Sequence, residues 1–248
     1  MTNTDTSIRE GALAMVHLRV NDADRAMQFF GALLGWQGER VEFDNHVSHY
    51  TVNNEVTVRL LDDPTSPPVV ANYGVSEVAE TIRRIEAAGG TVTDSEAAPD
   101  GGGWARGHDN QGLPFYVFRP GRYHEHSAPT QQPTGDVGLV FIRADSERAQ
   151  QFYGSVFGWN LERVHPDSNY FEAVPLIGVF DEAAAFGTEV VPSETLYVAV
   201  EALEPAAAKV EELGGHAGDI AQDMGPYWTC MCTDDQGTTF GLMSLSRS

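Results

Sequence analysis

Five consecutive residues, His46-Val47-Ser48-His49-Tyr50, hold two imidazoles, a hydroxyl and a phenol. Imidazole titrates near neutral pH, so either histidine has the chemistry of a general base. On a strand, His46, Ser48 and Tyr50 share one face, and Val47 and His49 share the other. A second group lies upstream. Between Ala14 and Val20, the apolar Val16, Leu18 and Val20 alternate with Met15, His17 and Arg19. The apolar set packs under helices, so the other three face a concavity. A His and an Arg there are costly without partners. They pair with acids across an internal interface, or they meet a polar or anionic group of a ligand. Tyr116 is a further proton-transfer group and shares a strand face with Phe118. Tyr50, Trp104, Tyr170 and Trp228 fall on strands or loops nearby, where aromatic walls stack on a flat ligand or pack as ordinary core. The sequence has no nucleophile elbow, phosphate loop or dinucleotide fingerprint. Gly101-Gly102-Gly103 lacks the lysine a phosphate loop needs.

These groups are carried by a scaffold that the sequence spells out twice. Arg25-Ala26…Phe29-Phe30-Gly31…Leu34-Gly35-Trp36 returns as Arg148-Ala149…Phe152-Tyr153-Gly154…Phe157-Gly158-Trp159, 123 positions on. Gly89-Gly90 and Asp109-Asn110-Gln111-Gly112 return as Gly214-Gly215 and Asp234-Asp235-Gln236-Gly237, 125 positions on. That period is too long for a solenoid, whose repeats run about 20 to 50 residues, so it marks a duplicated domain. Each copy reads strand, helix, strands, helix, strands. Asp22 caps a helix over Ala23 to Leu34 that Gly35 stops. Strands are predicted over Val47–Val52 and Glu55–Leu61, turning at Asn53-Asn54, and over Val69–Val75. A second helix covers Val78–Ala88, followed by strands from Thr91, over Trp104–His108 and over Pro114–Phe118. The second copy follows the same order, with its second helix over Pro205–Leu213. We place the first module at residues 10–120, a Pro-, Ser- and Gln-rich linker at 121–135 and the second module at 136–246.

Composition narrows the partners. The 248 residues carry a formal charge of -21, which repels nucleic acid and favours a cationic ligand. No apolar run is long enough to span a bilayer, and no secretory signal opens the chain. Cys230 and Cys232 are the only cysteines, and on a strand they share a face as buried, reduced thiols. The expectation is a cytoplasmic protein, monomer or homodimer, with a small-molecule ligand and with neither nucleic acid nor membrane as partner.

The motifs Arg25-Ala26…Phe29-Phe30…Leu34-Gly35-Trp36, Ala87-Ala88-Gly89-Gly90 and Asp109-Asn110-Gln111-Gly112, with their second copies, resemble the vicinal oxygen chelate superfamily, the glyoxalase and bleomycin-resistance-like proteins. The fused two-module layout looks most like the actinobacterial glyoxalase-like antigens. The resemblance implies an α+β fold: tandem duplicated βαβββ modules forming paired curved sheets with a central cup, helices outside. Metal-dependent members carry a His on the first strand, a His or similar ligand before the second helix, and a Glu on the last strand. Counting from the motifs puts these positions at Met15 and Gly138, Val70 and Thr195, and Tyr116 and Gly241. None is a strong ligand for a divalent ion. No metal and no cofactor is therefore expected, against glyoxalase I-type isomerisation and ring-cleaving dioxygenation, which use that ion. His17 with His46 or His49 is the one unusual arrangement left for a metal. Equivalent counting gives Gly138, Val140 and Ile142 opposite Met15, His17 and Arg19, so the second cup is apolar.

Two functions follow. One is metal-independent binding of a small aromatic or polycyclic molecule, for sequestration, antibiotic resistance or natural-product work, through Met15, His17, Arg19, His46, Tyr50, Trp104, Tyr116, Phe118, Tyr170 and Trp228. The alternative is a metal-free lyase, isomerase or cyclase with His17, His49 and Tyr116 as proton-transfer groups. A metal-dependent glyoxalase or dioxygenase ranks below both.

Overall fold

The computed structural model describes residues 9–42, 48–52, 56–120, 133–187 and 191–248, without the side chains of Glu42, Ser48, His49 and Asp223. The turn at Asn53-Asn54 and most of the linker at 121–135 lie outside those residues. Two eight-stranded mixed sheets dominate the fold. The first is built from β1 (Ala12–Arg19), α1 (Ala23–Leu34), β2 (Gly38–Glu42), β3 (Ser48–Val52), β4 (Thr57–Leu61), β5 (Val69–Gly74), α2 (Val78–Ala87), β6 (Thr91–Ala97), β7 (Gly103–His108) and β8 (Pro114–Phe118). Its strand order is β2-β3-β4-β1-β5-β8-β7-β6. Two βαβββ units thus meet at the antiparallel β1–β5 pair, while β1 with β4 and β5 with β8 run parallel.

The second module repeats this with β9 (Val137–Arg143), α3 (Ser146–Phe157), β10 (Glu162–Arg163), β11 (Tyr170–Val174), β12 (Ile177–Phe180), α4 (Glu182–Phe186), β13 (Ser193–Ala199), α5 (Leu203–Glu212), β14 (His216–Met224), β15 (Tyr227–Thr233) and β16 (Thr239–Ser244). Its order is β10-β11-β12-β9-β13-β16-β15-β14. The expected duplicated α+β architecture is therefore present. Three elements are not read from the sequence: β2, its counterpart β10, and α4. In β2 only Val41 is apolar, and it forms as an edge strand paired with β3. The short α4 is capped by Asp181 and ended by Gly187.

The repeated motifs have a mechanical basis. Asp22 and Asp145 each accept a bond from the backbone N–H three residues on, starting α1 and α3. Gly35 and Gly158 end those helices in the left-handed conformation, φ 73° and 75°, where only glycine sits without strain. Gln111, from one Asp-Asn-Gln-Gly copy, donates to the Asp145 carbonyl at 3.2 Å and accepts from the Asp145 N–H at 2.9 Å. Gln236, from the other copy, donates to the Asp22 carbonyl at 3.1 Å. Each module's final turn therefore grips the start of the other module's first helix.

The helical, convex sides of the two sheets face each other and share one core. Phe30 meets Phe240 across the modules at 5.1 Å, Phe115 meets Phe152 at 5.8 Å, and Tyr73 meets Trp159 at 5.3 Å, mostly edge to face. Trp36 donates to the Gly135 carbonyl at 2.6 Å, and Trp159 stacks on Tyr153 at 4.7 Å. At the centre β5 and β13 touch, and Glu194 Oε2 accepts from the Ala71 N–H at 2.8 Å. Cys230 and Cys232 are buried in this shared core, their Sγ atoms 3.7 Å apart.

Candidate functional site

Helix-side packing of each sheet leaves its other face concave. On the first sheet, Val16, Leu18, Val58 and Leu60 are buried toward the helices. Strand alternation then turns Met15, His17, Arg59 and Leu61 into a cavity of about 790 Å3. Asn72, Trp104, Arg106, Tyr116 and Phe118 complete it, with Asp63 and Ser66 from the β4–β5 loop. Five neighbouring strands, β4-β1-β5-β8-β7, thus supply the lining. Pairing fixes their heights. Met15, Asn72, Tyr116 and Arg106 form one row across four strands, and His17 pairs with Arg59 in the next. The His17 and Tyr116 rings meet edge-on, centroids 5.3 Å apart.

Electrostatically this cup is uneven. Asp63 lies below the usual carboxylate range because Thr65 and Ser66 hydroxyls and the Thr65 N–H bond it, with Arg19 nearby. Arg106 pairs with Asp94 at 3.1 Å. Arg59 is half-buried, and burial pushes its guanidinium pKa down. Among the described residues it makes no hydrogen bond or ion pair, and its Nε is buried without a partner.

Of the residues expected to bind a ligand, Met15, His17, Trp104, Tyr116 and Phe118 come together here. Arg19 stands at the rim, its guanidinium donating to the Ser66 carbonyl at 2.9 Å. Tyr50 does not line the cup. Its face turns toward α1, and its hydroxyl donates to Asp24 at 2.7 Å. Trp228 is also on the wrong face. It packs on the shared core with the Arg247 guanidinium 5.2 Å from its ring centre. Thr229 holds the position 125 residues after Trp104, and a one-residue offset on a strand reverses the face. Tyr170 is buried on the second sheet's concave side. His46 lies outside the described residues. The His49 backbone pairs with Leu61 on β4, and its side chain lies outside the description.

The second cup needs a larger correction. Val140 and Ile142 are in the shared core, and Leu139, Phe141 and Arg143 face the concavity. The true counterparts of Met15, His17 and Arg19 are these three, 124 positions on. Val20-Asn21-Asp22 leads into α1, but Ala144-Asp145 leads into α3, one residue fewer. The spacing that holds for the helices therefore slips on the strand. Register also moves the middle family position from Val70 to Asn72 and from Thr195 to Tyr197, because these pair with Met15 and Leu139.

This second cup is largely filled by its own residues. A Cβ on Gly241 would overlap the Tyr197 ring, one on Gly138 would overlap Met243, and one on Gly178 would overlap Tyr170. Glycine at these places admits the larger neighbours. Phe141 lies 5.9 Å from both Tyr170 and Phe180. A hollow of about 430 Å3 remains, open toward Phe186 of α4.

The metal-bearing row of such a fold is, in the first module, Met15–Asn72–Tyr116. It offers a thioether, an amide and a phenol. That set suits neither a hard divalent ion nor the imidazole and carboxylate sites typical of catalytic metals. Among the described residues no three His, Cys, Asp or Glu side chains cluster.

Residues 15–118 match the family described as Glyoxalase-like domain. No curated protein sequence matches the chain. Among solved structures the chain is similar to the Mn(II)-bound glyoxalase from Novosphingobium aromaticivorans, at 16% identity and TM-score 0.66, covering 96% of this chain and 83% of that one. It is similar to 2,2',3-trihydroxybiphenyl 1,2-dioxygenase from the dibenzofuran-degrading Sphingomonas wittichii strain RW1, at 15% and 0.64, covering 96% and 90%. The 2,3-dioxygenase LapB from Pseudomonas sp. KL28 gives 11% and 0.66, covering 96% and 93%. Residues 15–118 thus match a glyoxalase-like domain, and the second module repeats the same strand order. At these identities the solved structures establish the fold alone.

Proposed function

We propose that this protein binds a small aromatic molecule in the first module's cup without a resident metal. One observation carries the reading. The first cup stays open and aromatic-walled, while the positions a metal would need hold Met15, Asn72 and Tyr116. Trp104, Tyr116 and Phe118 supply ring faces and edges for a planar ligand, and Met15 fills irregular space beside it. The second cup is narrowed by Tyr197, Tyr170 and Met243 to a hollow of about 430 Å3, smaller than the first. Sequestration of an aromatic compound, an antibiotic included, fits a site of this kind. The solved neighbours include an Mn(II)-bound glyoxalase and dioxygenases, so the metal question decides between this reading and theirs.

Elemental analysis of purified protein, with native mass spectrometry, tests it. Substoichiometric metal and retention of one aromatic adduct support the reading. One tightly held divalent ion per chain overturns it. Trp104→Ala should weaken binding of aromatic probes about tenfold or more, given the stacking worth of about 1 kcal/mol and the lost apolar contact. Tyr170→Ala should leave that binding unchanged.

The edge-on contact of His17 with Tyr116 favours one second reading, proton transfer on the bound molecule. Turnover with a bell-shaped pH profile, lost in both His17→Ala and Tyr116→Phe, would distinguish it from binding alone.

A further inference from the structure

We propose that the ligand of the first cup is an aromatic carboxylate, with Arg59 receiving the carboxylate group. This deepens, and rests on, the aromatic-binding reading above.

The chain carries -21 charges, and its acidity by itself points to cationic ligands. The cup runs against that bulk charge. Arg59 and Arg106 line it, Arg19 stands at its rim, and among the described residues Asp63 is the one acid in the lining. Three of these four charges are already committed. Asp63 is held by Thr65 and Ser66 of its own loop, Arg19 by the Ser66 carbonyl, and Arg106 by Asp94. Arg59 alone has no bond among the described residues, although it is half-buried and its Nε is shut off from solvent. A guanidinium desolvated without a counter-charge is costly, and the cost is recovered when an anion arrives. The planar fork of Arg matches a carboxylate in bidentate fashion.

Placement supports the pairing. Arg59 sits on β4 beside His17 on β1, while Trp104 and Phe118 pair across β7 and β8 on the far side of the cup. A molecule with a carboxylate at one end and a ring at the other spans that arrangement. A cavity of about 790 Å3 holds a one- or two-ring compound.

The test is calorimetric titration of the full chain with three matched probes: 1-naphthoate, 1-naphthamide and 1-naphthylmethylamine. The expected order is naphthoate tightest, with the neutral amide at least tenfold weaker and the amine weaker still. Arg59→Gln should weaken naphthoate about 10- to 100-fold, the range for a hydrogen bond to a charged group, and weaken naphthamide by several-fold less. Arg59→Lys should restore part of the loss. Circular dichroism and the thermal midpoint report whether each variant folds. Equal binding of acid and amide, or an unaltered naphthoate affinity in folded Arg59→Gln, overturns the carboxylate inference and leaves aromatic binding standing. Preference for the amine overturns it in favour of a cationic ligand. Binding of none of the three overturns both readings together.

Discussion

At the residue scale the most consequential group outside the cup is Glu194. It is buried at the centre of the module contact, and its pKa is pushed up to about 8 by desolvation, against the Ala71 N–H that favours its charged form. The nearby carboxylate of Asp109 raises it further. A folded-state pKa above the ordinary 4.5 means the folded protein holds a proton that the unfolded chain releases. The stabilisation is complete below pH 4.5, declines as pH rises toward 8 and is exhausted above it. Each tenfold difference in proton affinity corresponds to about 1.4 kcal/mol, so the decline amounts to several kcal/mol. Glu194→Gln keeps an acceptor for Ala71 and removes the titration. Urea midpoints between pH 5 and 9 should therefore fall in the wild type and stay flatter in the variant, and parallel curves would refute the assignment. Alternation placed Met15, His17, Tyr116 and Phe118 on the strand face that lines the cup. Arg59 and Asn72 escaped notice because a single Arg or Asn on a strand belongs to no motif. The signal was present, since Val58 and Leu60 flank Arg59 as core positions and so turn it into the cup.

At the element scale, helices read well and strands less so. Caps and glycine stops are chemical marks at fixed places, and Asp22, Gly35 and their repeats were visible. An edge strand as polar as β2 has no such mark and exists through its pairing with β3. The missing residue before α3 shows the limit of counting. A helix tolerates a one-residue slip as a rotation of about 100°, but a strand inverts. The fit of large residues over glycine in the second cup gives a sharp prediction. Gly241→Ala forces its methyl into the Tyr197 ring, and should cost about 1–3 kcal/mol in denaturant unfolding. Ligand binding in the first cup should be unaffected. A neutral substitution would mean that the Tyr197 ring moves aside freely.

At the scale of the whole molecule, the duplication was legible and the way the copies meet was not. The sequence repeats Asp-Asn-Gln-Gly and Asp-Asp-Gln-Gly, but only the structure reveals Gln111 and Gln236 reaching into the opposite module. With Phe29, Phe30 and Phe115 committed to partners across the seam, the modules should unfold together. Scanning calorimetry should give one transition with equal calorimetric and van't Hoff enthalpies. Residues 10–120 expressed alone should self-associate in sedimentation, and two resolved transitions in the full chain would contradict this picture. The same seam governs the thiols. Cys230 and Cys232 are the chain's only sulfhydryls, and both are sealed on its inner side. A thiol-reactive dye can label this protein only when the halves part or the second sheet opens. The labelling rate then acts as an intrinsic clock for that opening, readable in dilute buffer without any denaturant.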